Sequence, residues 1–179
     1  MRIIGGKYRG KKLFSPLSDK VRPTSDRTRE ALFSILRSRL GADFRKLKLL
    51  DVFAGSGAFA LEGLSQGFAK VTLVDIDTSS LLKNVNLFAL EKDRINVIKA
   101  DATKPISDNN KYDVLFMDAP YLQGLSEKAL VNCAMLLNSG ALCLIEIRKD
   151  EKLTLPENYR YVDEKRYGLA KIVIAEVIC

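Results

Sequence analysis

The segment "LDVFAGSGAFALEGL" (residues 50–64) sets two glycines, Gly55 and Gly57, between an apolar run and a helix-like run. This order predicts a strand, a tight turn and a helix. Glycines at such a turn let backbone N–H groups approach a ligand at the N-terminus of the helix. Gly-x-Gly without a third glycine is a weak signal, so a turn that binds no ligand is an alternative at this point.

Around this segment, short apolar runs alternate with helix-like segments. The runs cover residues 47–54, 70–77, 95–101, 112–120 and 140–147, and the helix-like segments lie near 57–66, 78–91 and 124–138. Strands with little polar alternation, separated by helices, indicate a parallel sheet that is covered on both faces. Two more strands are predicted between residues 159 and 178, and the tight turn at Gly168 makes them antiparallel. The predicted core is therefore a doubly wound α/β sheet.

A small N-terminal extension precedes this core. The run "RIIGGKYRGKKLF" (2–14) predicts a short hairpin with glycines as breakers. Pro23, followed by Thr24 or Ser25, predicts the start of a helix that Gly41 ends. We expect one domain over residues 1–179, in which residues 1–44 form the hairpin and helix extension and residues 45–179 form the core.

The positive charge of the chain is concentrated in this extension. Residues 1–30 hold nine basic and three acidic side chains, and therefore six of the seven net positive charges. Such a segment is a plausible footprint for a phosphate backbone. A solvated terminus without a partner is the alternative.

Composition limits the chemistry that the chain can perform. It has no histidine, which excludes a Ser-His-Asp triad, a Cys-His pair and histidine-based zinc sites. The cysteines Cys133, Cys143 and Cys179 lack Cys-x-x-Cys spacing and are predicted to be reduced. There is no apolar run of membrane-spanning length and no signal peptide, so we expect a cytoplasmic protein. Carboxylates, amides, aromatics, backbone groups or a cofactor must carry any reaction.

Carboxylates follow the predicted second and third strands. Asp75 comes about twenty residues after the glycines, where an acid can accept both hydroxyls of a ribose. Asp101 and Ala102 end the third strand, where an acid and a backbone N–H can bind the edge of an adenine. Each carboxylate taken alone is more often a helix N-cap. Glycines and two acids at three successive strand ends together predict a nucleoside site.

These motifs, with "MDAPY" (117–121), resemble those of class I S-adenosylmethionine-dependent methyltransferases. The runs "RIIGGKYRGKKL" and "RPTSDRTREALFSIL" resemble the bacterial 16S ribosomal RNA guanine-N2 methyltransferase family in particular. The resemblance covers nearly the whole chain and implies a Rossmann-like, seven-stranded, mostly parallel sheet whose last strand is antiparallel. It implies S-adenosylmethionine as the cofactor, no metal, and small-subunit ribosomal RNA, naked or in an assembled particle, as the partner. We expect a monomer.

The resemblance also implies site residues. Cofactor contacts are predicted from Asp51, Phe53, Ala54, Gly55, Ser56, Gly57, Asp75, Ile76, Asp101, Ala102, Asp118 and Thr24. RNA contacts are predicted from Lys7, Arg9, Lys11, Lys12, Arg22, Arg27, Arg29 and Tyr121. For Arg22, Thr24, Arg27 and Arg29, a capped and charged first helical turn is the alternative.

The catalytic residues are predicted to be Asp118, Ala119, Pro120 and Tyr121. An exocyclic guanine amine is a poor nucleophile, so it needs acceptors for its protons and a clamp that holds it in line with the methyl group. The Asp118 carboxylate and the Ala119 carbonyl supply acceptors, Pro120 stiffens the loop, and Tyr121 stacks on the flipped base. The family pattern is Asp-Pro-Pro followed by Tyr or Phe, so Ala119 stands where the family has a proline. A strand end followed by a proline turn is the alternative.

Two other functions stay open on the sequence alone. Similar loops serve adenine-N6 and protein-amide methyltransferases. A catalytically silent RNA-binding homologue is the second alternative, and Ala119 is the feature that favours it.

Overall fold

The computed structural model describes residues 1–15 and 25–178. Within these residues lie four α-helices: α1 (Asp26–Leu40), α2 (Ala58–Ser65), α3 (Ser79–Val85) and α4 (Leu125–Cys133). Two 3₁₀ segments follow α3 and α4, at Asn86–Arg94 and Ala134–Leu136. The strands are β1 (Lys48–Val52), β2 (Lys70–Asp75), β3 (Ile95–Lys99), β4 (Tyr112–Asp118), β5 (Leu137–Arg148), β6 (Tyr159–Tyr167) and β7 (Ala170–Val177). None of the helices in the described ranges is long and apolar enough to cross a membrane.

The seven strands form one sheet in the order β3-β2-β1-β4-β5-β7-β6. Strands β1 to β5 are parallel to one another. Strand β7 lies between β5 and β6 and is antiparallel to both. This confirms the predicted doubly wound α/β fold and its antiparallel last strand. The strand order reverses between β1 and β4, and in such sheets ligands bind beyond the carboxyl ends of the strands at this switch point.

Helices cover both faces of the sheet. On one face, three aromatic rings connect α1 to α2 and α2 to β4: the Phe33 and Phe59 centroids lie 4.9 Å apart, and those of Phe59 and Phe116 lie 3.8 Å apart. On the other face, Ala129, Leu130 and Cys133 of α4 pack against the same sheet. Burial on both faces explains why the strands read as continuous apolar runs.

Two helical predictions were partly wrong at their ends. The segment near 78–91 is interrupted at Phe88, whose backbone is non-helical while its buried ring packs edge-on against Tyr8. Strand β5 begins at Leu137, inside the segment near 124–138 that was predicted to be helical, because Leu137 already pairs with Tyr112. Tertiary packing overrides the local pattern at both places.

The N-terminal run turns back on itself and docks onto the end of α2. Its two arms meet at one antiparallel bridge between Arg2 and Lys12, and the Leu13 N–H donates to the Met1 carbonyl at 3.1 Å beside it. The buried Glu62 carboxylate of α2 accepts the N–H groups of Ile4, at 2.7 Å, and Gly5, at 2.8 Å. The Ser65 hydroxyl donates to the Gly5 carbonyl at 2.6 Å. Because these backbone groups bind α2, they are not used in a strand ladder.

Helix α1 begins and ends as its sequence predicts. The Ser25 hydroxyl accepts the Thr28 N–H at 3.1 Å as an N-cap, and Gly41 ends the helix at a φ of 86°. Pro23 and Thr24, which were offered with Ser25 as start signals, lie outside the described residues. The buried thiols of Cys133 and Cys143 are free, and Cys179 also lies outside the described residues.

Gly6 makes the close approach to α2 possible. Its φ is +75°, and a Cβ built on it would lie 1.9 Å from the Ser65 carbonyl oxygen. We expect Gly6→Ala to lower the free energy of unfolding by about 2 kcal/mol or more, since left-handed strain and a backbone clash add together. Chemical denaturation measures this loss.

The matched control is Gly10→Ala. Gly10 has a φ of +86°, and nothing lies within 4 Å of its added Cβ. This variant carries the left-handed strain alone, about 1–2 kcal/mol. Equal losses of stability in the two variants would contradict the docking of the N-terminal run against Ser65.

Candidate active site

Strand register brings the ends of three strands to one place. Val52, the last residue of β1, pairs with Val74 of β2 and Met117 of β4. The residues that follow these partners therefore meet at the same edge of the sheet: the glycine turn after β1, Asp75 at the end of β2 and Asp118 at the end of β4. The glycine turn and the loop after β4, which the sequence sets far apart, therefore lie at one edge of the sheet.

The turn after β1 requires unusual backbone conformations. Gly55 has a φ of 55° and Gly57 a φ of 76°, and Phe53 also adopts a φ of 60°, which is uncommon for a residue with a side chain. A Cβ on Gly57 would lie 2.7 Å from the Leu73 side chain, so any other residue there would also require the buried Leu73 to shift. Ala54 and Ser56 lie between these residues and form the rest of the turn.

Asp75 holds the turn and keeps capacity for a ligand. Its Oδ2 accepts the Gly55 N–H at 2.7 Å, and its Oδ1 accepts the Asp77 N–H at 2.9 Å. A carboxylate oxygen has more than one acceptor position, so each can still take a hydroxyl. The neighbouring Ile76 side chain is 68% exposed and offers an apolar surface beside the acid.

Asp51 and Asp101 accept hydrogen bonds from other groups of the protein. Asp51 is buried, and its Oδ2 accepts the Ala60 N–H of α2 at 3.1 Å. Burial raises the pKa of Asp51 well above its ordinary range, and the charges of Asp118 and Asp75 raise it further against the effect of that hydrogen bond. Asp101, followed by the buried Ala102, accepts the N–H and the hydroxyl of Thr103, which lower the pKa of Asp101. Cofactor contacts from Asp51, Asp101 and Ala102 stay predictions.

The loop after β4 contains the four predicted catalytic residues. Asp118 pairs in register with Glu146 of β5 and is partly exposed, Ala119 is buried, and Pro120 is exposed. The Tyr121 hydroxyl donates to Glu146 Oε1 at 2.9 Å, and Tyr121 as a whole is 36% exposed. Burial and the charge of Glu146 raise the pKa of Tyr121. The sequence analysis missed Glu146, although an acid at the end of an apolar run was a signal of the same kind as Asp75.

Asn84 connects the glycine turn to the N-terminal run. This fully buried side chain donates to the Ser56 carbonyl at 2.9 Å and to the Phe14 carbonyl at 3.0 Å. It also accepts the Phe14 N–H at 2.7 Å. The sequence analysis missed it too, because an asparagine within a helical pattern gives no sign of partners 28 and 70 residues away.

The basic residues of the extension differ in exposure. Lys7 binds the buried Glu91 at 2.5 Å, and this contact is the first cause that lowers the pKa of Glu91 to about 2. The Lys11 ammonium lies 5.2 Å from the centre of the Phe88 ring. Among the predicted RNA contacts that the structure describes, Lys7, Arg9, Lys12 and Arg27 are exposed, and Lys11 is partly exposed.

The buried position of Arg29 contradicts its predicted RNA contact. Its residue is 1% exposed, and its guanidinium donates to the Arg2 carbonyl at 2.6 Å and to Asp26 at 2.8 Å. A guanidinium held beneath the surface in this way does not reach a phosphate backbone. Its visible role is to fix the N-terminal run to α1. Arg22 and Thr24 lie outside the described residues, so their predicted contacts stay predictions.

Comparison with known proteins places this geometry in a family. Residues 1–176 match the family described as "Conserved hypothetical protein 95". The chain is 34% identical to "Ribosomal RNA small subunit methyltransferase D" of Haemophilus influenzae, over 94% of this chain and 90% of that protein. It is 35% identical to the protein of the same name from Escherichia coli K12, over 94% and 85% of the two chains.

Solved structures agree with these relatives. The yhhF structure from Escherichia coli superposes with a TM-score of 0.83 at 31% identity, covering 99% of this chain and 98% of that chain. A 16S rRNA N2 methyltransferase of Thermus thermophilus, in complex with AdoMet and guanosine, gives a TM-score of 0.64 at 18% identity over 90% of this chain and 44% of that one. At 18% identity, the similarity to the Thermus thermophilus structure shows a shared fold only.

The strand order and the switch-point site define a Rossmann-like class I methyltransferase fold. The match over almost the full length goes further: the chain belongs to the family described as Conserved hypothetical protein 95.

We expect Asn84→Ala to lower the free energy of unfolding by about 1–3 kcal/mol, because the buried Ser56 carbonyl and the backbone groups of Phe14 lose their partner. Urea denaturation measures the change. Asn132→Ala is the matched control, since Asn132 is partly exposed on α4 and its side chain donates only to its own helix, at Lys128. That variant should change stability by less than about 0.5 kcal/mol. A similar small change in both variants would contradict the connecting role of Asn84.

Proposed function

We propose that the chain transfers a methyl group from S-adenosylmethionine to the exocyclic N2 of a guanine in small-subunit ribosomal RNA. The observation that carries this proposal is the register that sets Asp118 beside the glycine turn and Asp75 at one sheet edge. The names of the two curated relatives support ribosomal RNA of the small subunit as the substrate.

The residues at the switch point fit S-adenosylmethionine. A Cβ built on Gly55 meets no atom within 4 Å, so the turn faces open space where a ligand can approach the backbone. Asp75 would accept the ribose hydroxyls, and the exposed Ile76 would pack on the adenine. When bound, the cofactor supplies a methyl group that its sulfonium has already activated.

The loop residues would act on the guanine. The Asp118 carboxylate and the Ala119 carbonyl accept hydrogen bonds from the amine, so the nitrogen lone pair is directed toward the methyl group. Asp118 then takes up the proton that the amine loses. The half-exposed Tyr121 ring stacks on the flipped base and restricts its position.

Asp118→Ala should reduce the rate of methyl transfer by about 10²-fold or more, since it removes a positioned acceptor from the reacting group. Affinity for S-adenosylmethionine should stay nearly unchanged. The measurements are transfer of radiolabelled methyl to unmodified ribosomal RNA, with naked RNA and with small-subunit particles, and calorimetric titration of the cofactor.

Asp75→Ala is the opposite variant in the same assays. It should weaken cofactor affinity by about 2–3 kcal/mol, because it loses charge-assisted hydrogen bonds to the ribose. Full activity of folded Asp118→Ala would refute the proposed role of the loop. Label found on adenine or on protein, rather than on guanine N2, would instead support the alternative substrates.

The exposed basic residues of the extension should contact the RNA backbone. We expect the double variant Arg9→Gln with Lys12→Gln to bind RNA more weakly and to reduce the slope of log K against log salt by about 1.5, since each lost phosphate contact removes 0.7–0.9. The matched control is Lys46→Gln with Lys111→Gln, which removes two exposed charges at the opposite edge of the sheet, before β1 and β4. An equal slope in the two double variants would mean that the extension is a solvated terminus that does not contact the RNA backbone.

A further inference from the structure

Pro120 limits the backbone of the loop after β4. A proline fixes its own φ near −65°, and a residue before proline avoids the helical region, so Ala119 is restricted to extended conformations. Neither constraint fixes the side chain of Tyr121, which is the next residue of the loop.

A hydrogen bond from the sheet holds this side chain. Glu146 lies beside Asp118 in the β4–β5 register, and it is only 6% exposed. Its Oε1 accepts the Tyr121 hydroxyl at 2.9 Å. The acid thus holds the hydroxyl end of the ring, while Tyr121 as a whole stays 36% exposed.

The adjoining residue is held in the same way, although more weakly. Leu122 has a φ of 60°, a left-handed conformation that is costly for a residue with a side chain. Its N–H donates to Glu151 Oε1 at 3.2 Å, and Glu151 Oε2 accepts the Arg148 N–H at 3.3 Å. Two acids from β5 and the turn after it therefore hold two successive residues of the loop.

We propose that Glu146 is a positioning residue, whose hydrogen bond to Tyr121 orients the ring that stacks on the guanine. The inference rests on the proposed function, because it concerns the same loop. A phenylalanine at position 121 would keep the ring but could not make this bond.

A double-mutant cycle tests this role. Tyr121→Phe is measured in the natural chain and in the Glu146→Gln background, with each variant compared with its own parent in kcat and in KM for RNA. We expect kcat/KM to fall on the order of tenfold in the natural chain, as a charge-assisted hydrogen bond is lost. In the Glu146→Gln background the fall should be less than about threefold, because a neutral acceptor makes a weaker hydrogen bond.

Glu146 variants provide a second readout. Glu146→Gln keeps an acceptor for the Tyr121 hydroxyl, so it should lose less activity than Glu146→Ala. Combining Glu146→Ala with Tyr121→Phe should cost no more than Glu146→Ala alone, since both remove one contact. Where Glu146→Ala does not fold, the Tyr121→Phe cycle decides, because that variant keeps the ring and all charges.

The failures of the two proposals can be told apart. Equal losses from Tyr121→Phe in both backgrounds would overturn the positioning role of Glu146 while leaving methyl transfer itself established. A natural chain that binds S-adenosylmethionine but methylates no ribosomal RNA, naked or in particles, would overturn the proposed function and this inference with it. Cofactor affinity measured for each variant excludes a general loss of structure.

Discussion

The site depends on the pairing of β1 with β2 on one side and β4 on the other. Because side chains alternate along a strand, a slip of one residue in either pairing would turn the acid at the strand end to the other face. The apolar residues that the two helical layers cover fix this register, since β1 is buried on both faces. The packed core thus determines where Asp75 and Asp118 lie, although neither acid belongs to it.

Two buried carboxylates, one in α2 and one in the 3₁₀ segment after α3, attach the N-terminal extension to this core. Glu62 accepts two N–H groups of the N-terminal run, and Glu91 binds Lys7 and the Tyr8 hydroxyl. An acid removed from water is costly unless it is hydrogen-bonded, so these contacts favour one arrangement of the run. The basic residues that face solvent, such as Arg9 and Lys12, are therefore presented from a fixed support.

Features with a local signature were predictable, and those with distant partners were not. The strands, the glycine turn and the Ser25 cap follow from apolar runs, glycine spacing and capping chemistry in adjoining residues. The roles of Glu62 and Asn84 depend on partners that lie 28 to 70 residues away in the chain. Burial of Arg29 could not be predicted for the same reason, since a basic residue in a first helical turn is equally suited to solvent or to RNA.

The two halves of the candidate site are held by different kinds of contact. The glycine turn is fixed from two directions, by Asp75 from β2 and by Asn84 from α3, and this explains how Phe53 can keep an unfavourable backbone conformation. The loop after β4 is held by the side chains of Glu146 and Glu151, and the contact at Glu151 lies at the exposed surface. Under the proposed function, the methyl donor would bind beside the glycine turn and the base would enter beside Tyr121. The donor would then lie against backbone held by buried contacts, and the loop that admits the acceptor would be constrained by side-chain hydrogen bonds that can break and re-form.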